Sequence, residues 1–331
     1  MQSKSSLSVD VRGILDVMEW AGDPPSAVRI SPEPEALPRT GLGHAIGHHG
    51  EILQGVFEQS NGLLARGLVT LTVPRFASNA IFRPGSGDEP LIVEPGWKAK
   101  SRRAAELMLA RLGQPCCGLL TIDNNIAPRW GFGSSTSDVV ATVRAVAMAF
   151  GHHYGPEAIA EVAVQSETAS DSTMFGERVI LFAQRRGVAL EDLGASLPMV
   201  HVIGFNLDPT GWGVDTLMFP PARYTWWEIE AFRPLLGLLR RAVRYRDVRL
   251  LGYVATASAR INQRHLPKPQ FDELERITDA CGGVGLQVAH SGSIAGILLP
   301  CDESTETCAE AVRRSLAEIG IASTWCFTTG L

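Results

Sequence analysis

Beyond residue 40, the pattern of apolar and polar positions divides the chain into short strands and amphipathic helices. Runs rich in β-branched residues and bounded by glycine or proline predict strands. They lie at 67–73, 77–82, 119–122, 199–205, 294–299 and 322–327. Apolar residues at intervals of three and four predict helices. They lie at 98–112, 138–150, 157–170, 226–245 and 304–319.

The order of these elements predicts two α+β domains behind a polar leader. Residues 1–40 carry five prolines between 24 and 38, and we expect an extension on the surface with a short helix near 11–20. Because 331 residues exceed one ordinary core, we place an N-terminal domain at 41–193 and a C-terminal domain at 194–331. The β-α-β-α-β order of the second domain is typical of a ferredoxin-like fold.

Composition narrows the class of protein and of partner. An apolar fraction of 45% and a charged fraction of 20% indicate a globular chain. A net charge of −5 gives no general attraction for nucleic acid or for an anionic membrane. The six cysteines form no CxxC pair or zinc pattern, and the sequence shows neither a signal peptide nor a membrane helix. We therefore expect a cytoplasmic protein, and a homodimer stays open.

A glycine- and serine-rich loop precedes the helix predicted at 138–150. Its sequence, Pro-Arg-Trp-Gly-Phe-Gly-Ser-Ser-Thr at 128–136, brings small residues and hydroxyls to a helix N-terminus, where backbone N–H groups and the helix dipole favour an anion. The alternative is a tight turn with a capping serine. The loop lacks the Gly-Lys-Ser/Thr of a Walker A motif and the spacing of a dinucleotide fingerprint.

This loop resembles the second motif of the GHMP kinases, and two further motifs stand in the order that this superfamily requires. Gly-Glu-Ile-Leu-Gln-Gly at 50–55 resembles the first motif, and the glycine-rich segment 285–296 resembles the third, both in the form of the L-threonine kinase branch. Val-Asp-Thr at 214–216 and the segment 258–269, which includes Pro-Lys-Pro at 267–269, also resemble that branch.

The resemblance implies a two-domain GHMP kinase fold, with a ribosomal-protein-S5-like N-terminal domain and a ferredoxin-like C-terminal domain. It implies a small-molecule kinase that uses ATP and Mg²⁺ and phosphorylates an alcohol group, L-threonine being the first candidate acceptor. The residues that it assigns to ATP are Gly131, Phe132, Gly133, Ser134, Ser135 and Thr136.

It also assigns the remaining roles residue by residue. Ser134 and Glu167 match the Mg²⁺ ligands, and with Asp171 they form the catalytic set. Asp171 either accepts the proton of the acceptor hydroxyl or only orients it, and a turn aspartate is the structural alternative. The residues assigned to the acceptor are Glu51, Gln54, Asp171, Ser291 and Gly292. Glu51 is the candidate for an ammonium group.

Several departures leave the acceptor open. The loop has two residues rather than three between Pro128 and Gly131, and His48-His49 stands where threonine kinases carry a Ser-Cys pair. A kinase for another small alcohol, an ATP-dependent decarboxylase and a non-catalytic relative stay as alternatives. We interpret both histidine pairs as unconnected with metal, the arginines at 240–249 as one solvated helix face, and Trp226-Trp227 as packing residues.

Overall fold

A computed structural model describes residues 39–59, 61–208, 210–213 and 222–330. The predicted leader up to residue 38, with its short helix, and the motif at 214–216 lie outside the described residues. Within the described part of the chain, no helix is both long enough and apolar enough to cross a membrane.

Ten strands and seven helices make up the described fold. The strands are β1 Gly41–Glu58, β2 Leu64–Pro84, β3 Leu91–Glu94, β4 Gly118–Asn124, β5 Val179–Ala183, β6 Val188–Gly194, β7 Val200–Asn206, β8 Gly285–Val288, β9 Ile294–Pro300 and β10 Thr324–Thr329. The helices are α1 Ala99–Arg111, α2 Ser134–Ala149, α3 Pro156–Glu167, α4 Trp226–Tyr245, α5 Val248–Asn262, α6 Phe271–Ala280 and α7 Thr305–Glu318.

The strands form one sheet with the order β10-β7-β9-β8-β1-β2-β4-β3, and the β5–β6 hairpin joins it through β2. The long antiparallel β1–β2 pair is interrupted by register shifts at 46–47, 48–51 and 51–53. β-Bulges bend a strand and redirect its side chains. β1 pairs with β8 at one position, Glu51 opposite Val288. The irregular stretch of β1 therefore lies where the strands of the two chain halves meet.

Three apolar cores hold the helices on the sheet. α1, α2 and α3 pack on the first half of the sheet around Phe82 and Phe182. α4 and α5 bury Phe232 against β1, β2 and β7. α6 and α7 cover β7, β8 and β9. This mixed architecture confirms the predicted α+β class. The boundary between 193 and 194 stays a prediction, and strands from both sides of it share the sheet.

Most predicted elements are confirmed, with shifted ends. The helix predicted at 138–150 begins at Ser134, because Gly133 adopts a left-handed φ of 72° and turns the loop directly into α2. The strands predicted at 67–73 and 77–82 are one strand, β2. The sequence did not predict β1, β3, β5, β6, β8, α5 or α6.

One surface interpretation was wrong. The arginines between 240 and 249 do not share one helix face, since Arg246 ends α4 in a left-handed conformation and Arg249 lies in α5. Trp226 and Trp227 do not pack in a core formed by the described residues, because their exposed fractions are 60% and 82%. Packing of these two side chains at an interface with another chain stays a prediction.

Candidate active site

Backbone hydrogen bonds lock the three sequence motifs together. The N–H of His48, two residues before the first motif, donates at 3.0 Å to Phe132 O in the loop at 128–136, which we call the phosphate loop after its predicted role. The N–H groups of Ser293 and Ile294 in the third motif donate to Trp130 O, at 2.9 and 3.1 Å. Segments more than 80 residues apart in sequence therefore form one site.

Glycines allow the second and third motifs to approach each other through their backbones. A Cβ at Gly131, whose φ is 102°, would collide with Ala289. A Cβ at Gly292 would overlap the carbonyl of Trp130 and the N–H of Gly131. Both glycines are therefore required by the contact between the loops, in addition to the roles predicted for them, which are ATP binding for Gly131 and acceptor binding for Gly292.

Glu167 lies below the start of α2 and is held by two hydroxyl groups. Ser135 Oγ donates to Glu167 Oε2 and Thr136 Oγ1 donates to Oε1, each at 2.7 Å. Burial raises the pKa of Glu167, although Lys100 Nζ at 3.6 Å from Oε2 opposes this effect. Ser134 is the first residue of α2, directly before Ser135. The structure thus brings Glu167 to the phosphate loop, as the resemblance implied.

Asp171 is connected to the same hydroxyl and to a histidine just before the first motif. Thr136 Oγ1 lies 3.3 Å from Asp171 Oδ2, and the Asp171 N–H is 3.3 Å from the same hydroxyl. His48 Nε2 lies 2.9 Å from Asp171 Oδ2. His48 is fully buried, and a Cβ at Gly133 would overlap its ring. Asp171 is thus a fixed member of the site and not a free turn residue.

The ring of His48 has a defined donor and a defined acceptor. The Gly50 N–H donates to Nδ1 at 3.0 Å, so Nε2 carries the proton that faces Asp171. Burial alone would raise the pKa of Asp171, but its interactions with His48, and to a smaller extent with His290, outweigh burial and lower that pKa to about 2. Asp171 is therefore ionised at neutral pH and is a weak base.

Glu51 faces the third motif from β1. Its Oε2 accepts the His290 N–H at 2.9 Å, and His290 Nδ1 lies 2.8 Å from that oxygen without hydrogen-bond geometry. Its Oε1 is buried, lies 3.9 Å from His48 Nδ1 and has no hydrogen-bond partner in the part of the chain that the structure describes. Burial lowers the pKa of His290, but the Glu51 and Asp171 carboxylates outweigh burial and raise it. A buried carboxylate oxygen without a partner is costly unless a ligand fills the place.

Lys268, in the loop between α5 and α6, adds a cation to the residues around Glu51. Its ammonium donates to Gly292 O in the third motif. The residue is 7% exposed, and burial lowers the pKa of Lys268 to about 8 while Glu51 opposes that shift. We call His48, Glu51, Asp171, Lys268 and His290 the Glu51 cluster.

Sequence reasoning missed two members of this cluster. No role was predicted for His48, although the fold brings Glu51 and Asp171 to it and ligand atoms of the three lie within 4.8 Å of one another. The interpretation that the histidine pairs are unconnected with metal stays a prediction. Lys268 was quoted only as part of a motif. Its signal was a lysine between two prolines, of which the prolines are exposed and the lysine is buried.

The other predicted residues take varied positions. Gln54 and Ser291 are half-buried, and the Gln54 backbone is held by Ser258 Oγ at 3.0 Å and by Asn262 Nδ2 at 3.2 Å. The Phe132 side chain is buried against Phe76, with ring centroids 4.6 Å apart. The ATP contact predicted for Phe132 would therefore have to come from its backbone. The roles assigned to these residues stay predictions.

His49 points to the opposite side of β1. Its Nδ1 lies 2.8 Å from Gln287 Oε1, and its ring packs edge-on against Phe132 and Trp325. Burial lowers the pKa of His49 to about 4, so the ring is neutral at physiological pH. Adjacent histidines therefore have different surroundings, one against Asp171 and one in an aromatic core.

The chain resembles known proteins in sequence as well. Residues 99–176 match the family model described as the GHMP kinases N terminal domain. The chain is 28% identical to an L-threonine kinase of Salmonella typhimurium over 76% of this chain and 80% of the relative. It is 29% identical to an L-threonine kinase of Citrobacter freundii over 54% of this chain and 62% of the relative.

Solved structures share the fold. A homoserine kinase from Cytophaga hutchinsonii has a TM-score of 0.66 at 14% identity, covering 90% of this chain and 97% of its own. A structure described as MDDEF in complex with MVAPP, AMPPCP and magnesium has a TM-score of 0.60 at 14% identity, covering 88% and 97%. The comparisons confirm the predicted resemblance to GHMP kinases, the fold, and the interpretation as a phosphotransferase of that kind.

Proposed function

Since the chain has the fold and the N-terminal domain of the GHMP kinases, we propose that it transfers the γ-phosphate of ATP to the hydroxyl of a small amino acid. The first candidate acceptor is L-threonine, which would give O-phospho-L-threonine and ADP. Two curated relatives carry the name L-threonine kinase. The observation that carries the proposal is the connection of the phosphate loop, Glu167 and Asp171 through the single hydroxyl of Thr136.

The donor set around this hydroxyl fits Mg-ATP. Glu167 is a buried carboxylate with only hydroxyl partners and the half-exposed Lys100 beside it. Mg²⁺ prefers such hard oxygen ligands, and the charge it carries would offset the cost of burying the carboxylate. Glu167 and Ser134 would hold the ion, which neutralises charge on the phosphates. The N–H groups at the start of α2 would receive phosphate oxygens.

Asp171 would orient the acceptor hydroxyl. Its Oδ2 already receives His48 Nε2–H and lies near Thr136, so Oδ1 is the oxygen left to accept a hydrogen bond from the acceptor. Because the pKa of Asp171 is held at about 2, we favour orientation over early proton removal. Phosphoryl transfer can proceed without a strong base at Asp171, since its loose transition state needs little proton removal from the attacking hydroxyl.

A coupled assay of ADP release over a panel of hydroxy amino acids and simple alcohols tests the proposal. We expect the largest kcat/KM among small hydroxy amino acids, with one phosphorylated product per ADP. The absence of ADP with every acceptor, while ATP binding is intact, would refute the kinase and favour a binding protein. Release of CO₂ with ADP would instead identify a decarboxylase.

One observation supports a second acceptor within the same reaction. In the L-threonine kinase branch a small Ser-Cys pair tends to occupy the place of His48-His49, and here the bulkier His48 contacts Asp171 directly. A larger side chain beside Asp171 narrows the space for the carbon that bears the hydroxyl. A primary hydroxyl, as in serine or homoserine, is therefore the second candidate, and the same panel ranks it against L-threonine.

A further inference from the structure

Within the Glu51 cluster, the structure holds two buried charges that are not matched to each other. Glu51 Oε1 is buried and finds no hydrogen-bond partner among the described residues. Lys268, 7% exposed, has an ammonium with three N–H donors, and Gly292 O is the one hydrogen-bond acceptor that the described residues give it. The two residues form no ion pair within 4.0 Å, although Glu51 is the charge that acts on Lys268.

The burial of this lysine is unusual for its residue type. Pro267 and Pro269 are exposed, as proline usually is, whereas Lys268 between them is buried, which is rare for lysine. The Lys268 N–H is fixed by Gln263 Oε1 at 2.6 Å, so the backbone is anchored as well. A buried ammonium with incomplete hydrogen bonding destabilises a protein unless a ligand compensates it.

The positions of the two charges match the two ends of a zwitterion. Glu51 lies on β1 beside His48, which contacts the hydroxyl-orienting Asp171. Lys268 donates a hydrogen bond to Gly292 O in the third motif. Glu51 contacts the same motif, since its Oε2 accepts the His290 N–H. An α-amino acid carries an ammonium and a carboxylate on one carbon, next to the carbon that bears the side-chain hydroxyl.

We propose that Lys268 binds the α-carboxylate of the acceptor while Glu51 Oε1 receives its ammonium, so that the enzyme selects the zwitterionic head group of an amino acid. This inference rests on the proposed function, and it adds Lys268 as a residue that determines specificity. The unsatisfied atoms of the two residues are then satisfied by one ligand.

The competing explanation is that Lys268 only supports the third motif through Gly292 O. If Lys268 were purely structural, replacing it would weaken the reaction with every acceptor and the binding of ATP alike. If Lys268 binds a carboxylate, replacing it would weaken the reaction only with acceptors that carry a carboxylate. Three acceptors separate these cases: L-threonine, 1-amino-2-propanol, which lacks the carboxylate, and 3-hydroxybutyrate, which lacks the ammonium, each with the matching configuration at the carbinol carbon.

The test compares wild type, Lys268→Met and the control Arg264→Met, which removes an exposed cation from the same loop. For Lys268→Met we expect kcat/KM with L-threonine to fall about 30-fold or more, mainly through KM, as expected for losing a charged hydrogen bond. The value with 1-amino-2-propanol should change less than about twofold, and Arg264→Met should resemble wild type. Glu51→Gln should show the reverse preference, with a larger loss for 1-amino-2-propanol than for 3-hydroxybutyrate.

Calorimetric binding of L-threonine in the presence of a non-hydrolysable ATP analogue separates this inference from the proposed function. Weaker binding in Lys268→Met with unchanged nucleotide affinity supports the inference, even if no acceptor is phosphorylated. Equal losses for L-threonine and 1-amino-2-propanol, or a parallel loss of nucleotide affinity, would overturn it. If Lys268→Met melts at a lower temperature, Lys268→Gln replaces it, since the amide still donates to Gly292 O but carries no charge.

Discussion

Two buried charged clusters lie within the same fold, and they differ in how completely their atoms are paired. In the Asp138 cluster, the carboxylate of Asp138 on α2 forms an ion pair with Lys98. It also accepts hydrogen bonds from Ser78 Oγ at 2.7 Å and from Asn124 Nδ2 at 2.6 Å. In the Glu51 cluster, no described residue gives Glu51 Oε1 or His290 Nδ1 a hydrogen-bond partner.

The difference separates a structural cluster from a binding one. A buried polar group that is fully hydrogen-bonded stabilises one arrangement of the chain. A buried polar group that lacks a partner costs free energy in the unliganded protein, and a ligand can recover that cost. The Asp138 cluster thus joins α1, α2, β2 and β4, whereas the unpaired atoms of the Glu51 cluster agree with the ligand binding proposed for it.

Removing the charge of Asp171 should have the largest effect on catalysis. Asp171→Asn retains the size of the side chain but weakens both the bond to His48 and the orientation of the acceptor. We expect kcat to fall about 1000-fold, the scale seen when a preorganised polar contact at the reacting group is lost. Steady-state kinetics would show this, and a kcat within tenfold of wild type would remove Asp171 from the mechanism.

The matching change in the Asp138 cluster should affect stability instead. Asp138→Asn leaves Lys98 buried without a counter-charge, so we expect the free energy of unfolding to fall by about 3 kcal/mol. The kcat of the folded enzyme should stay within about twofold. Urea unfolding measures the loss, and Arg111→Met, which removes an exposed ion pair with Glu161, should change stability by less than about 0.5 kcal/mol. Equal losses in both variants would contradict the comparison.

The proposed metal ligands should show an intermediate effect. Glu167→Gln and Ser134→Ala should each lower turnover at least about 100-fold, because each removes a contact to charge that develops in the transition state. Ser135→Ala, which removes one hydrogen bond to Glu167, should have a smaller effect. Turnover measured against Mg²⁺ concentration checks the assignment. If Ser135→Ala were the more damaging variant, the two serines would exchange roles.

The smallest effect should come from His49, which lies outside both clusters. Burial lowers the pKa of His49 to about 4, whereas an unfolded histidine titrates near 6.5. Between these values the unfolded chain binds the extra proton, so stability falls as pH is lowered from about 6.5 towards 4. We expect this residue to cost about 2 kcal/mol of unfolding free energy between pH 7 and pH 5.

Urea midpoints across this pH range measure that effect, and His49→Gln is the control because glutamine does not titrate. The variant should lose the acid slope that His49 contributes. An identical slope in both proteins would show that other groups, such as the carboxylates of the Glu51 cluster, cause it.

Local signals in the sequence predicted the helices well and the strands unevenly. The bounds of α4 were predicted correctly because Thr225 and Glu228 form a capping box before a strongly amphipathic segment. β1 was missed because glycines interrupt its alternation, and those at 41 and 43 leave room for the backbone of α2. A glycine with that role looks the same in sequence as one in a loop.

Residues of the candidate site could be predicted from the sequence only where they belong to a recognisable motif. Ser134, Glu167 and Asp171 followed from motif resemblance, and the fold brings Glu167 and Asp171 to the phosphate loop. The contact of His48 with Asp171 joins residues 123 positions apart, and Lys268 reaches Gly292 across 24. Such pairings depend on the register shifts of β1 and on the loop after α5, which no local pattern encodes.

The place of His48 against Gly133 also limits how this part of the site can be redesigned. The left-handed turn before α2 demands glycine at 133 for reasons of backbone conformation, and the ring of His48 occupies the volume that a side chain at 133 would fill. No side chain can therefore be added at 133 while this ring is present. A designer who wishes to enlarge this corner should therefore begin by shrinking residue 48.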